Sequence, residues 1–256
     1  MAEFVQSFER GLAVIRSFAA AGQPQTLSDV ARATGLSRAT ARRLVLTLEE
    51  LGYVRGGNGR FQLTPRILEL GYAFLSSFSV PALAVPYLER FSATVNESSS
   101  VAVLDGTSIV YVARVPANRV MTVSIGLGSR FPAYQTSLGR VLLGALDDEE
   151  VARIWKASDR SSVTERTVRT LDELLEKLAE VRDQGWALVD QELELGVRSI
   201  AAPIRNGAGE VVAAANVSTH ASRTTKAELL SRFLPELLRT ADDISRAVAV
   251  HPAGIA

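Results

Sequence analysis

Residues 26–64, TLSDVARATGLSRATARRLVLTLEELGYVRGGNGRFQLT, constrain the fold of this chain more than any other stretch. Thr26 and Ser28 are helix-capping types, and Leu27, Val30 and Ala31 follow at the i, i+3, i+4 spacing of a one-sided apolar helix. Gly35 suits the left-handed conformation of a turn between helices, Leu36 plugs the corner, and Ser37 caps a second helix. The pattern predicts a helix-turn-helix. In the second helix Ala41, Leu44, Val45 and Leu48 make the buried stripe, which leaves Ser37, Arg38, Thr40, Arg42 and Arg43 on the opposite side. Those are DNA-contacting types: Arg bonds guanine in a fork, Ser and Thr reach bases or phosphates, and the first turns of such a helix enter the major groove.

After Gly52 the pattern changes to alternation, Tyr53-Val54-Arg55, a flexible Gly56-Gly57-Asn58-Gly59, then Arg60-Phe61-Gln62-Leu63. Two short strands around a Gly/Asn turn predict a hairpin. With Arg55 and Arg60 on its two arms, it is the wing of a winged module, placed to meet phosphates or a minor groove. A lone arginine-bearing helix is more often a solvated face. Here capped helix, glycine turn, basic helix and basic hairpin follow one another in order, and the DNA reading is the better one.

The 256 residues, 47% hydrophobic, suffice for cores in two domains. Formal net charge is zero, yet residues 1–66 hold nine Arg against five acidic residues, so the remainder is acidic. A basic end on an acidic body suits a protein whose one end meets a polyanion. Lys is rare, three against twenty-five Arg, a coding bias that weakens Arg abundance as evidence for nucleic acid. No Cys is present, which excludes disulfides, thiol catalysis and Cys-ligated zinc. No apolar run approaches a membrane span and no signal-peptide pattern appears, so a cytoplasmic protein without membrane association is the default expectation.

Taken in order, Phe8, Leu12, Ile15 and Phe18 predict a first helix packing on the other two, ended by Gly22 and Pro24. Pro65 begins a helix rich in apolar residues, among them Ile67, Leu68, Leu70, Tyr72 and Leu75, which needs a partner: its copy in another subunit, the expected one, or the next domain. Pro81 and Pro86 read as bracketing a hinge, and a helix follows over 83–95. From Ser98, SVAVLDGTSIVYVARV predicts a hairpin turning at Asp105-Gly106, and MTVSIGLGS a third strand. RFPAYQTSLGRVLLGAL is a loop entering a helix capped at Thr136 or Ser137. Helices are expected over 147–155 and 171–184, strands over 187–192, 197–204 and 211–218, and a long helix over 226–248. The domains expected are 1–64, a linker helix over 65–80, and an α+β body with an antiparallel sheet over 81–256.

The winged module, VAVLDGTSIVYVARV, RFPAYQTSLGRVLLGAL and GWALVDQELELGVRSIAAPIRNGAGEVVAAANVS together resemble the IclR family of bacterial transcriptional regulators over nearly the whole chain. YQTSLGR and ALVDQELELGVRSIA are most similar to the branch controlling protocatechuate and β-ketoadipate catabolism. The resemblance implies a winged helix-turn-helix domain, a GAF-like effector-binding domain, and dimers or tetramers on a palindromic operator. It implies an effector pocket at Ser137 and Leu138, Val189 and Ser199, and Asn216 and Ser218. Val189 departs from the acidic residue the family often has there, and Asp190 does not replace it, because a one-residue step in a strand turns the side chain over.

The residues themselves point the same way. A helix opening at Thr136-Ser137-Leu138-Gly139 presents free N–H groups and its positive dipole end, where a small carboxylate effector docks; Gly139 permits close approach, and Arg130 or Arg140 supplies charge. The plainer alternative is that Thr136 and Ser137 only cap the helix. An enzyme is disfavoured: a Ser-His-Asp site would rest on His220, since His251 lies in the tail, and GLGS at 126–129 runs into Arg-Phe-Pro rather than a helix. No phosphate loop, cofactor motif or metal-ligand spacing occurs. A constitutive DNA-binding protein without a ligand is the remaining alternative.

Overall fold

The computed structural model describes residues 4–77, 79–117, 125–161 and 164–250. Contacts divide the chain into two units, Met1–Leu75 and Ser76–Ala256. In the first, α1 (Gln6–Ala21), α2 (Leu27–Thr34) and α3 (Arg38–Glu50) precede a hairpin of β1 (Val54–Gly57) and β2 (Arg60–Leu63). Local chemistry sets each boundary. Thr26 and Asp29 form a reciprocal capping box at the start of α2, Gly35 ends α2 at φ 66°, and Ser37 Oγ accepts the Thr40 N–H at 3.2 Å to open α3. Asn58 and Gly59, both at positive φ, make the two-residue turn of the hairpin. Val14, Phe18, Val30, Ala41, Val45, Leu48 and Val54 are the buried core. Phe8 does not join it: the core takes the side of α1 that carries Val14, Ser17 and Phe18, and Phe8 stays 69% exposed.

Beyond a 3-10 turn at Pro65–Ile67, α4 (Leu68–Ser77) leads into the second unit, and Phe78 lies outside the described residues. There α5 (Val80–Val95) precedes β3 (Ser98–Asp105), β4 (Ser108–Val115) and β5 (Arg130–Pro132). The helices α6 (Ser137–Gly144), α7 (Asp148–Ala157) and α8 (Leu171–Gln184) come next, then β6 (Ala187–Asp190), β7 (Val197–Arg205) and β8 (Val211–His220). The chain closes through α9 (Lys226–Glu228) and α10 (Leu234–Val250). The strands form one antiparallel sheet ordered β5-β4-β3-β8-β7-β6. Strand alternation sorts its faces: Ile200, Ala202, Ile204, Ala213, Ala215 and Val217 pack with α5 and α10, whereas Ala187, Ala201 and Ala214 pack with α6 and α8.

Three local expectations need correction. Pro81 and Pro86 do not bracket a hinge; both lie within α5, Pro81 in the first turn where its missing N–H has no helical role. Of the third strand expected at MTVSIGLGS, residues 121–124 lie outside the described residues; Gly126 to Ser129 form a turn, and a strand follows at Arg130–Pro132. The last helix is interrupted by a π-type segment at Leu229–Phe233, just before Pro235, which has no N–H to offer the helical ladder.

Helix α6 is enclosed on all sides, with Ser137 through Leu143 buried. A Cβ on Gly139 would stand 2.0 Å from the Ala133 carbonyl oxygen, so glycine is required where the 3-10 turn Ala133–Gln135 crosses the helix. Arg140, 2% exposed, donates from Nη2 to Glu192 Oε2 at 2.5 Å and from Nε to the Tyr134 carbonyl at 3.2 Å. The pair fastens α6 to the loop after β6. Removing one partner of a buried pair strands the other charge, so Glu192→Leu should cost about 3–5 kcal/mol, and Arg140→Met/Glu192→Leu should recover much of it. Denaturant melts of wild type, Arg140→Met, Glu192→Leu and the double variant measure this; a double-variant loss equal to the sum of the two single losses would show that the pair is not coupled.

Candidate DNA-reading face and effector cavity

On the first unit, Ser37, Arg38, Arg42, Arg43, Arg55 and Arg60 are exposed and Thr40 is half-buried. Ala41, Val45 and Leu48 face inward, so the helical period carries the arginines of α3 outward. Arg38, Arg42 and Arg43 have no ion-pair partner among the described residues, whose pairs in this unit are Arg32–Asp29 and Arg66–Glu69. No acid occupies the first turn of α3, so its positive dipole end is unopposed; α2, by contrast, carries Asp29 there. Two of the expected contacts have local duties. Ser37 caps α3, and Arg60 Nη1 donates to the Pro24 carbonyl at 3.0 Å, tying the wing to the loop before α2.

In the second unit a cavity of about 580 Å³ opens beside the first turn of α6, within the range of about 300–1,000 Å³ usual for small-molecule sites. Thr136, Ser137, Val189, Ser199, Asn216 and Ser218 all line it. Leu138 does not; its side chain is fully buried in the core between sheet and helices. Thr136 rather than Ser137 is the helix cap, its Oγ1 accepting the Gly139 N–H at 3.0 Å. Ser137 Oγ instead donates to Ser199 Oγ at 2.9 Å, joining helix to sheet. The Arg140 N–H bonds the Thr136 carbonyl. Those of Ser137 and Leu138 belong to the open first turn.

The arginines expected beside this helix are elsewhere. Arg130 pairs with Asp105 at the far hairpin turn, Arg140 is taken by Glu192, and neither lines the cavity. Asp190 also faces away: burial pushes its carboxyl up, but the Arg198 hydrogen bond at 2.8 Å and the charges of Arg198 and Arg166 hold it below the usual carboxylate range. Val189 therefore contributes an apolar wall. Sequence reasoning missed Tyr111, Phe131, Gln135, Arg114, Arg223 and Glu97, which also line the cavity. Tyr111 and Phe131 meet edge to face with centroids 5.8 Å apart, and burial pushes the Tyr111 phenol up to about 12, so it is a neutral donor. Among the described residues no three or more metal-ligating side chains converge.

Matches to known proteins cover both units. Residues 7–56 match the model of the IclR helix-turn-helix domain, and residues 72–246 that of the bacterial transcriptional regulator IclR C-terminal domain. The chain is 42% identical over 243 residues to the Pca regulon regulatory protein of Pseudomonas putida, covering 94% of this chain and 84% of that one. A crystal structure of a Rhodococcus sp. RHA1 protein, described as a transcriptional regulator, superposes with a TM-score of 0.85 at 54% identity, covering 97% of this chain and 100% of that chain. The inducer-binding domain of the PobR transcription factor from Acinetobacter, a double mutant in complex with 3-hydroxybenzoic acid, superposes at 0.61 with 35% identity, covering 66% of this chain and 98% of that one. With a winged helix-turn-helix unit followed by a cavity-bearing antiparallel sheet, and with family models matching both, the chain belongs to the IclR family of bacterial transcriptional regulators.

Proposed function

We propose that the chain is a ligand-responsive regulator of aromatic catabolism genes that grips a palindromic operator through its winged unit and senses a small aromatic carboxylic acid in the cavity beside α6. One observation carries the sensing half: the cavity gathers Thr136, Ser137, Val189, Ser199, Asn216 and Ser218 from four elements, the start of α6 and strands β6, β7 and β8. Its chemistry suits a hydroxylated acid. Hydroxyls from Ser137, Ser199 and Ser218 and the Asn216 amide offer hydrogen bonds, and Tyr111, Phe131 and Val189 offer apolar surface for a ring. The PobR domain held 3-hydroxybenzoic acid, which supports the same ligand class here. Leu138 contributes its backbone N–H alone.

Arg38, Arg42 and Arg43, with Ser37 and Thr40, form the base- and phosphate-contacting face, and Arg55 and Arg60 meet the backbone from the wing. The exposed Phe4, Phe8, Leu68, Leu70 and Tyr72 favour a homodimer, which reads two half-sites about one helical turn or a multiple apart. For an acid to regulate, it must bind one arrangement of that dimer more tightly than another.

On an operator selected from genomic fragments, Arg38→Ala and Arg42→Ala should each weaken binding, by about 1–3 kcal/mol where a base contact is lost. The full palindrome should bind far more tightly than one half-site; gel shifts in which both variants match wild type, or the half-site matches the palindrome, would refute the interface. Thermal-shift screening against hydroxybenzoates and dicarboxylic acids tests the sensor. A hydroxybenzoate should raise the melting temperature of wild type, and less so that of Ser218→Ala and Asn216→Ala; no shift with any acid would favour a constitutive DNA-binding protein.

A further inference from the structure

The sheet register lays out the floor of the cavity. One cross-strand row runs from Arg114 on β4 through Ser100 on β3 and Asn216 on β8 to Ala201 on β7. The next row is Ser98, Ser218, Ser199 and Val189. The floor is thus built of small side chains, which is why space remains above it, with a cation at its β4 edge.

Arg114 reaches this face through a fault in the strand. Tyr111 pairs with Ala102 and Ala113 with Val101, so Val112 is an extra, bulged residue. Val112 and Ala113 both turn to the core shared with α5 and α10, and the alternation restarts with Arg114 on the same side as Tyr111. A regular strand would have turned Arg114 away from the cavity. The guanidinium is half-buried, and burial pulls its affinity for the proton down. Its described hydrogen-bond partner is the neutral Ser100 Oγ at 3.3 Å, and no described carboxylate is within ion-pair distance. The other arginine of the cavity, Arg223, stands 3.8 Å from Glu97, and Glu194 is exposed.

We propose that Arg114 is the residue that receives the carboxylate of the effector and so sets the ligand's direction, ring beside Tyr111 and Phe131 and ring substituents toward Ser199 and Ser137. This assignment rests on the reading of the cavity as an aromatic-acid sensor. A half-buried guanidinium without an acidic partner is stabilised by an arriving anion, and its planar fork matches a carboxylate in two hydrogen bonds. The geometry also sets the length. Three strand spacings of about 4.8 Å separate β4 from β7, about 14 Å between the backbones of Arg114 and Ala201 and about 16 Å on the diagonal to Ser199, a span that an arginine side chain, one substituted benzene ring and a serine side chain bridge together. The open first turn of α6 then serves the hydroxyl end of the ligand.

The test is calorimetric titration of the full-length protein with 3,4-dihydroxybenzoate and its neutral isostere 3,4-dihydroxybenzamide. Wild type should prefer the acid by at least about tenfold, Arg114→Met should bring the acid-to-amide ratio to about one, and Arg114→Lys should retain part of the preference. Equal wild-type affinity for acid and amide overturns the assignment without any variant, and so does a preference that survives in Arg114→Met, provided circular dichroism shows that variant folded. A wild type that binds neither compound, and is shifted by no hydroxybenzoate in the thermal screen, brings down the sensor reading as well. Binding of the acid with an unchanged ratio removes Arg114 alone.

Discussion

The buried ion pair Arg140–Glu192 holds the wall of the cavity to α6. Arg140 is the bulkiest fully enclosed side chain of the described residues, and its charge is met by Glu192 in the loop between β6 and β7. That loop also supplies Leu193 and Glu194 to the cavity wall, while Arg140 belongs to the same helix as Ser137. Wall and helix are therefore pinned together by one contact. Thr164 and Thr167 brace it further, their hydroxyls donating to main-chain carbonyls of residues 191 and 192. A buried pair of this kind adds little net stability over an apolar replacement. Its value is in fixing one arrangement, because a helix enclosed on all sides has no solvent-facing stripe to set its rotation.

The sheet divides its labour by face. Toward α5 and α10 it presents Val101, Ile200, Ile204 and Val217 in close packing; toward α6, at the ends of β3, β8 and β7, it presents serines, alanine and Asn216. Close packing on one side is what allows a hollow on the other, since dense interiors tolerate few voids unless a rigid scaffold supports them. Several polar atoms in the hollow are paired with one another, Ser137 with Ser199 and Asn216 with Ser218, whereas the Thr219 hydroxyl, also in the lining, has no hydrogen-bond partner among the described residues. A ligand must exchange these bonds rather than simply add to them, which favours an acid with several oxygens.

The winged unit was legible because its signals are local. Thr26, Gly35, Ser37 and Asn58-Gly59 each dictate backbone conformation within a few residues, and each sits at the expected boundary. The small polar lining of the cavity was legible through family resemblance and strand alternation. Arg114 was not, because the β-bulge at Val112 inverts the alternation and no residue type near it announces a bulge. The roles of Gly139 and Arg140 were misjudged for a related reason: both answer to chain segments far away or folded back, the Ala133 carbonyl and Glu192, so helical position alone does not reveal what they meet. Pro81 and Pro86 misled because proline reads as a break, yet Pro81 sits in the first turn of α5, which accepts it, and Pro86 is carried inside the same helix.

The central claim is that an aromatic acid lies on the serine- and asparagine-lined floor of the sheet beneath the first turn of α6. A crystal structure of the full-length protein grown with 3,4-dihydroxybenzoate tests it most directly. Density for one ring between Tyr111 and Phe131 on one side and Ser137 and Ser199 on the other, within hydrogen-bond distance of Asn216 or Ser218, is the predicted result. A cavity left empty at saturating ligand, or density at any other place on the chain, would contradict it.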